Sequence, residues 1–422
     1  MMGNLQIWGR GEVSRALSAD AAAQILVSSM DAVALDGKRV LVIIPDNTRT
    51  APLAMIFRLL CECIRPRAAQ LDFLIALGTH PPMSDAAIDA MLGMAQTERA
   101  EKSPNVRVFN HAWADPRALK TFGVIARDEM GALTNGLLWD ETPVRLNRLL
   151  DEYDQIILCG PVFPHEVVGF SGGAKYLCPG IAGAEIIDAT HWLGALATSM
   201  GTIGIMDTPV RRVIHRVAEF VTTPLLCIAL VMRGEALHGM FVGPYIDAWQ
   251  RAAELSAQLN IITVPRAFQR VLSAPAPMYD ELWTAAKAMY KTEPAIADGG
   301  EVIIYAPNLT EVSRTHGALI DAVGYHVRDY FVKQPQRFAN VPGAIKAHST
   351  HVQGAGEYDA ARAIETPRIR VTLATGISEE HCRRLNLGFL DYKKIDVDEW
   401  RNRESEGILF VPHAGEMLYR VA

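Results

Sequence analysis

Cysteine pairs at CxxC spacing are missing from this sequence. Its six cysteines, Cys61, Cys63, Cys159, Cys178, Cys227 and Cys382, are scattered, with no CxxC among them. That spacing excludes a zinc ribbon, and a chain of this size and composition does not call for a disulfide framework. The cysteines read as small apolar core residues in a reducing compartment. An excess of basic charge is missing too. The 41 Lys and Arg nearly balance the 47 Asp and Glu, giving -6 with His neutral. Nucleic acid is therefore not an expected partner. No run of about 18 apolar residues occurs, so neither a membrane span nor a membrane partner is expected. The opening stretch Met1–Val13 lacks the apolar centre of a secretory signal, which points to a cytoplasmic protein. There is no 20–50-residue repeat and no low-complexity tract. What is present is core material: 50% of residues are hydrophobic and 21% charged. That composition excludes disorder for the chain as a whole. At roughly 150 residues per domain, 422 residues suggest two or three domains.

The apolar pattern organises the chain. Arg39–Ile44 is a short continuous apolar run that ends in Pro45-Asp46-Asn47-Thr48, a buried strand entering a turn. Leu53, Ile56, Phe57, Leu60 and Ile64 follow at helical spacing. Leu71–Leu77 is a second strand before Gly78-Thr79-His80, Asn105–Phe109 a third before Asn110-His111, and Gln155–Cys159 another before Gly160-Pro161. Apolar strands alternating with helices indicate a parallel sheet covered on both faces. Ligands bind such sheets beyond the carboxyl ends of the strands, where Asp46, Arg49, His80 and His111 fall. Pro224–Val231 and a helix near Tyr245–Leu259 close this block. A second block begins near Arg270–Pro275, with a helix around Glu281–Tyr290 and strands at Glu301–Tyr305, Arg368–Ala374 and Ile408–Val411. The expected fold is α/β: two α/β domains, residues 1–265 and 266–422, with largely parallel sheets and the active site in the cleft between them.

The stretch Gly160–Gly180 (GPVFPHEVVGFSGGAKYLCPG) stands apart, followed by Ala184–His191. Gly169, Gly172, Gly173, Gly180 and Gly183 make it too glycine-rich for routine packing. Glycines allow close backbone approach, and their N–H groups can cradle an anion. Lys175 is placed to contact a phosphate or to link covalently to a cofactor. A Walker A loop fails here, because Ala174 separates Gly173 from Lys175 and Tyr176 replaces the required Ser or Thr.

His165, ten residues before Lys175, and His191, sixteen after it, resemble the core of the nickel-dependent lactate racemase family. Asp46-Asn47-Thr48-Arg49 resembles that family's D-x-T-R segment, and Gly78-Thr79-His80 its G-T-H segment. The match spans residues 40–195 strongly and the second block more weakly. Four motifs in the right order are far more specific than any one alone.

The resemblance implies an isomerase with a nickel pincer nucleotide, the nickel complex of pyridinium-3-thioamide-5-thiocarboxylate mononucleotide. It would be attached covalently to Lys175, with His191 as the protein ligand to the metal. The reaction would invert C2 of a small-molecule 2-hydroxy acid by proton-coupled hydride transfer through a 2-oxo acid. His80 and His165 would be the two general bases, one for each configuration. Arg49 would clamp the substrate carboxylate through two parallel hydrogen bonds. Asp46 would bind cofactor or orient Arg49. Ser171, Gly172 and Gly173 would present N–H groups near the cofactor. Trp283-Thr284-Ala285-Ala286-Lys287 resembles a family helix carrying an aromatic residue, a Gln and a Lys. Lys287 keeps the cation. Trp283 stands where many members have Tyr and Thr284 where they have Gln, so Trp283 and Thr284 shape a pocket for something other than lactate, such as a sugar acid. The implied partners are the enzymes of cofactor biosynthesis and nickel insertion.

The remaining polar residues are assigned by weight of context. His215, His238, His326 and His381 are read as hydrogen-bonded structural residues, and Trp192 as packing. His111 is a minority candidate for the site on position alone. His348–Gly356 reads as a polar, glycine-bearing loop, either ordinary or reaching a polyhydroxylated substrate. Asn308, Arg314 and His316 follow a strand end and can face the cleft. His413 is unassigned. Two other functions are weighed. A zinc hydrolase would use His80, His165 and His191 as convergent ligands but leaves Lys175 and the glycines unexplained. A non-catalytic cofactor-binding protein has no need of two bases.

Overall fold

The computed structural model describes residues 6–422. Met1–Leu5, part of the stretch read for a leader, lie outside the described residues. The chain forms two compact units that are not continuous in sequence. The first holds Met1–Phe163, Phe170–Ile187 and Arg211–Leu259; the second holds Pro164–Gly169, Asp188–Val210 and Asn260–Ala422. A single cut near residue 265 therefore does not describe the division.

The sheet of the first unit has seven strands: β1 (Trp8–Gly11), β2 (Arg39–Pro45), β3 (Gln70–Ala76), β4 (Arg107–Asn110), β5 (Gln155–Pro161), β6 (Leu225–Arg233) and β7 (Ala236–Pro244). Their order across the sheet is β1-β7-β6-β5-β2-β3-β4. The five from β6 to β4 are parallel, while β7 and β1 add an antiparallel edge. β2 is buried throughout after Arg39, and β5 along its whole length. That is why their sequences are continuous apolar runs rather than alternating ones. Helix α1 (Ala19–Ala32) starts on Ser18, whose side chain accepts the Ala21 N–H. Helix α2 (Leu53–Ile64) buries Ile56, Phe57, Leu60 and Ile64 as its spacing requires. Phe57 meets Phe73 of β3 with ring centroids 4.8 Å apart. From β2 the chain runs outward through β3 and β4, then returns to the other side of β2 as β5. The direction of winding reverses between β2 and β5, so the carboxyl ends of these two strands form a topological switch point.

The second unit has a five-stranded sheet, entirely parallel: β8 (Phe268–Pro275), β9 (Ile296–Ala306), β10 (Arg370–Thr375), β11 (Gly388–Phe389) and β12 (Ile408–Ala414), in the order β11-β10-β9-β8-β12. Two short segments from earlier in the chain are sewn into this unit by hydrogen bonds. The Gly204 N–H reaches the Gly169 carbonyl at 2.9 Å, and the Ala344 N–H reaches the Asp188 carboxylate at 2.9 Å. The segment read as a loop from His348 is instead the second half of a helix, Gly343–Gln353, closed by Gly354. All its residues from Ala347 to Gln353 are buried. Burial of polar side chains on every face erases the apolar stripe from which a helix is read in sequence. Near Glu281–Tyr290 the expected helix is two consecutive turns, Leu282–Ala285 and Lys287–Tyr290. Among the described residues no helix is long and apolar enough to cross a membrane.

Candidate functional site

In the first unit the switch point gathers the charged residues. Asp46 follows β2 directly and is 4% exposed. Its Oδ1 accepts the Thr48 N–H at 3.2 Å and the Thr48 hydroxyl at 2.6 Å. Its Oδ2 lies 2.5 Å from His80 Nδ1. A carboxylate can only accept, so Nδ1 carries the proton and the neutral ring offers its lone pair at Nε2. Burial works against the Asp46 carboxylate, but the charge and hydrogen bond of His80, with Arg49 and Thr48 behind, hold its pKa well below the usual range. Arg49 donates to the Thr48 hydroxyl at 2.6 Å and its guanidinium lies 6.0 Å from the Phe163 ring. Asp46 is thus tied directly to His80, and to Arg49 through Thr48.

The glycine loop is fixed to the same strand ends. Ser171 Oγ accepts the Phe163 N–H and donates to the Pro161 carbonyl, each at 3.0 Å. Three successive carbonyls are then bound from behind. Arg211 donates to those of Phe170 and Gly172, and Trp249 Nε1 donates to that of Ser171 at 2.8 Å. The Arg211 guanidinium also lies 4.2 Å from the Trp249 ring, and burial lowers its pKa to about 9. Gly172 has φ +74 and its added Cβ would sit 2.5 Å from Val162 Cγ2. Gly173 has φ +59 and packs on the Trp249 side chain. These glycines are required by close packing as well as by backbone conformation. Lys175, half-buried, stands on the short 3-10 turn Gly173–Tyr176.

His111 is not part of this group. It is 1% exposed, with Nε2 2.9 Å from the Ala182 carbonyl and Nδ1 3.1 Å from the Asn147 amide. Burial pushes its pKa down to about 4, against the pull of the Ala182 hydrogen bond. Its role is structural. The same holds for His238, bonded to the Glu12 carbonyl, and for His215, packed edge-on to Tyr245 and Trp249.

In the second unit the residues are imidazoles and aromatic rings. His165 Nδ1 accepts the Val167 N–H at 3.2 Å, so the neutral ring carries its proton on Nε2. Glu166 Oε2 lies 3.3 Å from that Nδ1. The buried Lys291 ammonium holds the Pro164 carbonyl just before His165, and the Glu416 carbonyl at 3.0 Å. His191 is half-buried on the helix Ala184–Ala197. Trp283 lies between two imidazoles, with ring centroids 4.4 Å from His316 and 4.2 Å from His348. Thr284 turns its hydroxyl back to the Glu281 carbonyl at 3.2 Å. Lys287 is buried with its ammonium 4.2 Å from the Tyr279 ring. His191 acts electrostatically on His348 and His351, and Glu166 on His351. Burial is the largest cause holding His348 well below its ordinary pKa and His351 at about 4.

Other candidates fall outside these groups. Arg314 is an exposed residue paired with Asp280 and Glu311, each at 2.8 Å. Asn308 and His413 are exposed. His326 pairs with Glu365 at 2.7 Å and His381 with Asp321 at 2.7 Å. Among the described residues, no group of three or more His, Cys, Asp or Glu side chains is placed to hold a metal ion. The zinc-hydrolase reading needed such a group. Sequence reasoning passed over Arg211, Trp249 and Lys291, which act on backbone carbonyls. It also passed over Glu166, whose place beside His165 was the available signal.

Residues 10–203 match the family described as lactate racemase N-terminal domain. The lactate racemase of Thermoanaerobacterium thermosaccharolyticum is 25% identical over 273 residues, 64% of this chain and 60% of that protein. The lactate racemase of Lactiplantibacillus plantarum is 22% identical over 275 residues, again 64% and 60%. The matched stretch thus spans about 60% of the length of these curated relatives. A Thermotoga maritima protein of known crystal structure is 30% identical with a TM-score of 0.87, covering 98% of this chain and 100% of that one. The lactate racemase apoprotein of T. thermosaccharolyticum shares the fold, with a TM-score of 0.72 at 18% identity over 100% of this chain and 95% of that one.

Proposed function

The chain belongs to the lactate racemase family, and on that premise we propose that it is a racemase or epimerase that inverts C2 of a 2-hydroxy acid. The observation that carries this reading is the switch-point group: an imidazole held by a buried carboxylate, beside an arginine and the bound glycine loop that bears Lys175. Inversion through a 2-oxo acid needs the hydroxyl proton and the C2 hydride to leave and return, with the hydride returning to the opposite face.

In this reading His80 Nε2 takes the hydroxyl proton. Asp46 orients the ring and stabilises the imidazolium that forms, in the manner of a catalytic triad's carboxylate. His165 serves the opposite configuration. To take the hydroxyl proton at Nε2, this ring must carry its own proton on Nδ1, with Glu166 at 3.3 Å replacing the Val167 N–H as the partner of that nitrogen. Arg49 holds the substrate carboxylate, a role that suits a planar guanidinium better than an ammonium. Lys287 adds a second cation. Exclusion of water from the site strengthens each of these interactions.

The residues present fit a nickel pincer nucleotide attached covalently to Lys175. The lysine stands on a backbone whose preceding carbonyls, 170 to 172, are already bound, so the tether point is rigid. Ser171 gives its N–H to the Phe163 carbonyl at 2.9 Å, so it braces the loop and presents no donor, and the expected N–H contacts to the cofactor fall to Gly172 and Gly173. The half-buried His191 offers an imidazole nitrogen, a donor suited to nickel. One protein ligand suffices when the remaining donors belong to the cofactor. When bound, this group supplies the acceptor and donor of the C2 hydride. Enzymes that build the cofactor and insert nickel would be partners, in the cytoplasm, a reading supported by six free cysteines of which five are buried. Trp283 and Thr284 favour a substrate other than lactate, such as a sugar acid. Intact mass of protein made together with the cofactor enzymes tests the assignment. A lysine adduct of a few hundred daltons with one nickel is expected. Zinc on an unmodified chain would contradict it.

A further inference from the structure

The helix Gly343–Gln353 carries His348 and His351 one turn apart, both in the interior. His348 has a partner: its Nε2 lies 3.3 Å from the Tyr325 hydroxyl and its ring rests on Trp283. His351 is 4% exposed, and neither of its ring nitrogens meets a hydrogen-bond partner among the described residues. Tyr290 flanks the ring at 6.3 Å, edge-on. Glu166 is 9% exposed, and its Oε2 likewise has no hydrogen-bond partner. The nearby His165 Nδ1 is occupied by the Val167 N–H.

A buried polar atom left without a partner costs about 1–3 kcal/mol. Three such atoms on two side chains close enough to interact electrostatically are an expensive arrangement unless a ligand satisfies them. They are also close to the residues that matter: Glu166 follows His165, and His351 feels the charge of His191.

We propose that His351 and Glu166 form a subsite for hydroxyl groups on the substrate chain beyond C2, so that the substrate is a polyhydroxylated 2-hydroxy acid. This rests on the reading above that the chain inverts C2 of a 2-hydroxy acid. A neutral imidazole offers one donor and one acceptor, whereas a carboxylate only accepts. A hydroxyl both donates and accepts. One hydroxyl can therefore accept from the imidazole N–H and donate to Glu166, while its neighbour donates to the other ring nitrogen. The methyl group of lactate would leave all three atoms unpaired. Sites built to bind a hydroxyl reject analogues that lack it far more strongly than apolar pockets reject an added group.

The test compares aldonates of four to six carbons with 2-hydroxyalkanoates of the same length, using cofactor-loaded protein and chromatographic resolution of the C2 epimers. An aldonate is expected to exceed its deoxygenated counterpart by about 100-fold in kcat/KM. His351→Phe keeps the ring and removes both nitrogens. It should lower that ratio by about 100-fold, mainly through KM, and leave the melting temperature of the ligand-free protein equal or higher. Glu166→Gln should lower the ratio in the same direction and serves if the first variant does not fold. Equal turnover of aldonates and 2-hydroxyalkanoates, or an unchanged ratio in both variants, overturns the subsite while the C2-inverting activity stands. Failure of loaded protein to invert any compound in the panel overturns the activity itself, and the subsite with it.

Discussion

Two histidines, one in each unit, are prepared in opposite ways. In the first, His80 is partnered: a buried carboxylate holds its Nδ1 at 2.5 Å, and the neighbouring groups are charged. In the second, the His316 and His348 imidazoles pack on the Trp283 indole, and His351 has no hydrogen-bond partner for either nitrogen among the described residues. The same side chain is thus prepared for two tasks. A carboxylate behind the ring makes a base and orients it. A ring buried without a partner is held neutral and retains its hydrogen-bonding capacity for a ligand. Position near a strand end did not distinguish these tasks, but the partners did.

The largest effect that would sharpen this contrast is on the tether. Lys175→Ala should abolish the covalent adduct completely; intact-mass spectra showing a fully loaded variant would remove the first unit's claim to the cofactor. Next come the two proton-transfer residues. His80→Ala and His165→Ala should each retain the adduct and lower C2 inversion by roughly 100-fold to 10,000-fold. Asp46→Asn should fall between these and wild type, because the ring keeps a hydrogen-bond acceptor but loses the charge. Full activity in either alanine variant would break the pairing.

A smaller effect concerns His111, the residue that position alone nominated. The unfolded chain binds a proton here below its ordinary pKa of 6.5, whereas the folded chain stays neutral to about 4. The unfolded state therefore binds more protons between these values, and stability falls as pH falls through that window. The loss for this residue is about 3 kcal/mol. Denaturant titrations of His111→Gln at pH 7 and pH 4.5 should show a flatter acid dependence than wild type. An equally steep one would contradict the structural role. Smaller still, Trp249→Phe removes the donor to the Ser171 carbonyl and should cost about 1 kcal/mol in the same titrations. No change would mean that the loop does not depend on that bond.

Much of the first unit was legible in its sequence for a physical reason. Parallel strands buried on both faces must be apolar without interruption, so Val40–Ile44 and Ile156–Cys159 declare themselves. The switch-point residues were legible because they follow those strands. What escaped was set by contacts between distant segments. Nothing local marks Arg211 or Trp249 as holding carbonyls at 170 to 172. His111 could be separated from the site only by Asn147 and Ala182 folding over it. The His348–Gln353 half of the Gly343–Gln353 helix reads as a loop in sequence because its buried side chains are polar, which is also what makes it a candidate for recognition.

The central claim is that this chain inverts C2 of a 2-hydroxy acid. Its most direct test is stereochemical analysis of a panel running from lactate and malate to aldonates, incubated with protein carrying one nickel and the lysine adduct. The account predicts conversion of at least one compound, starting from either C2 configuration, to the same final mixture. If fully loaded protein leaves every configuration in the panel unchanged, the account is wrong.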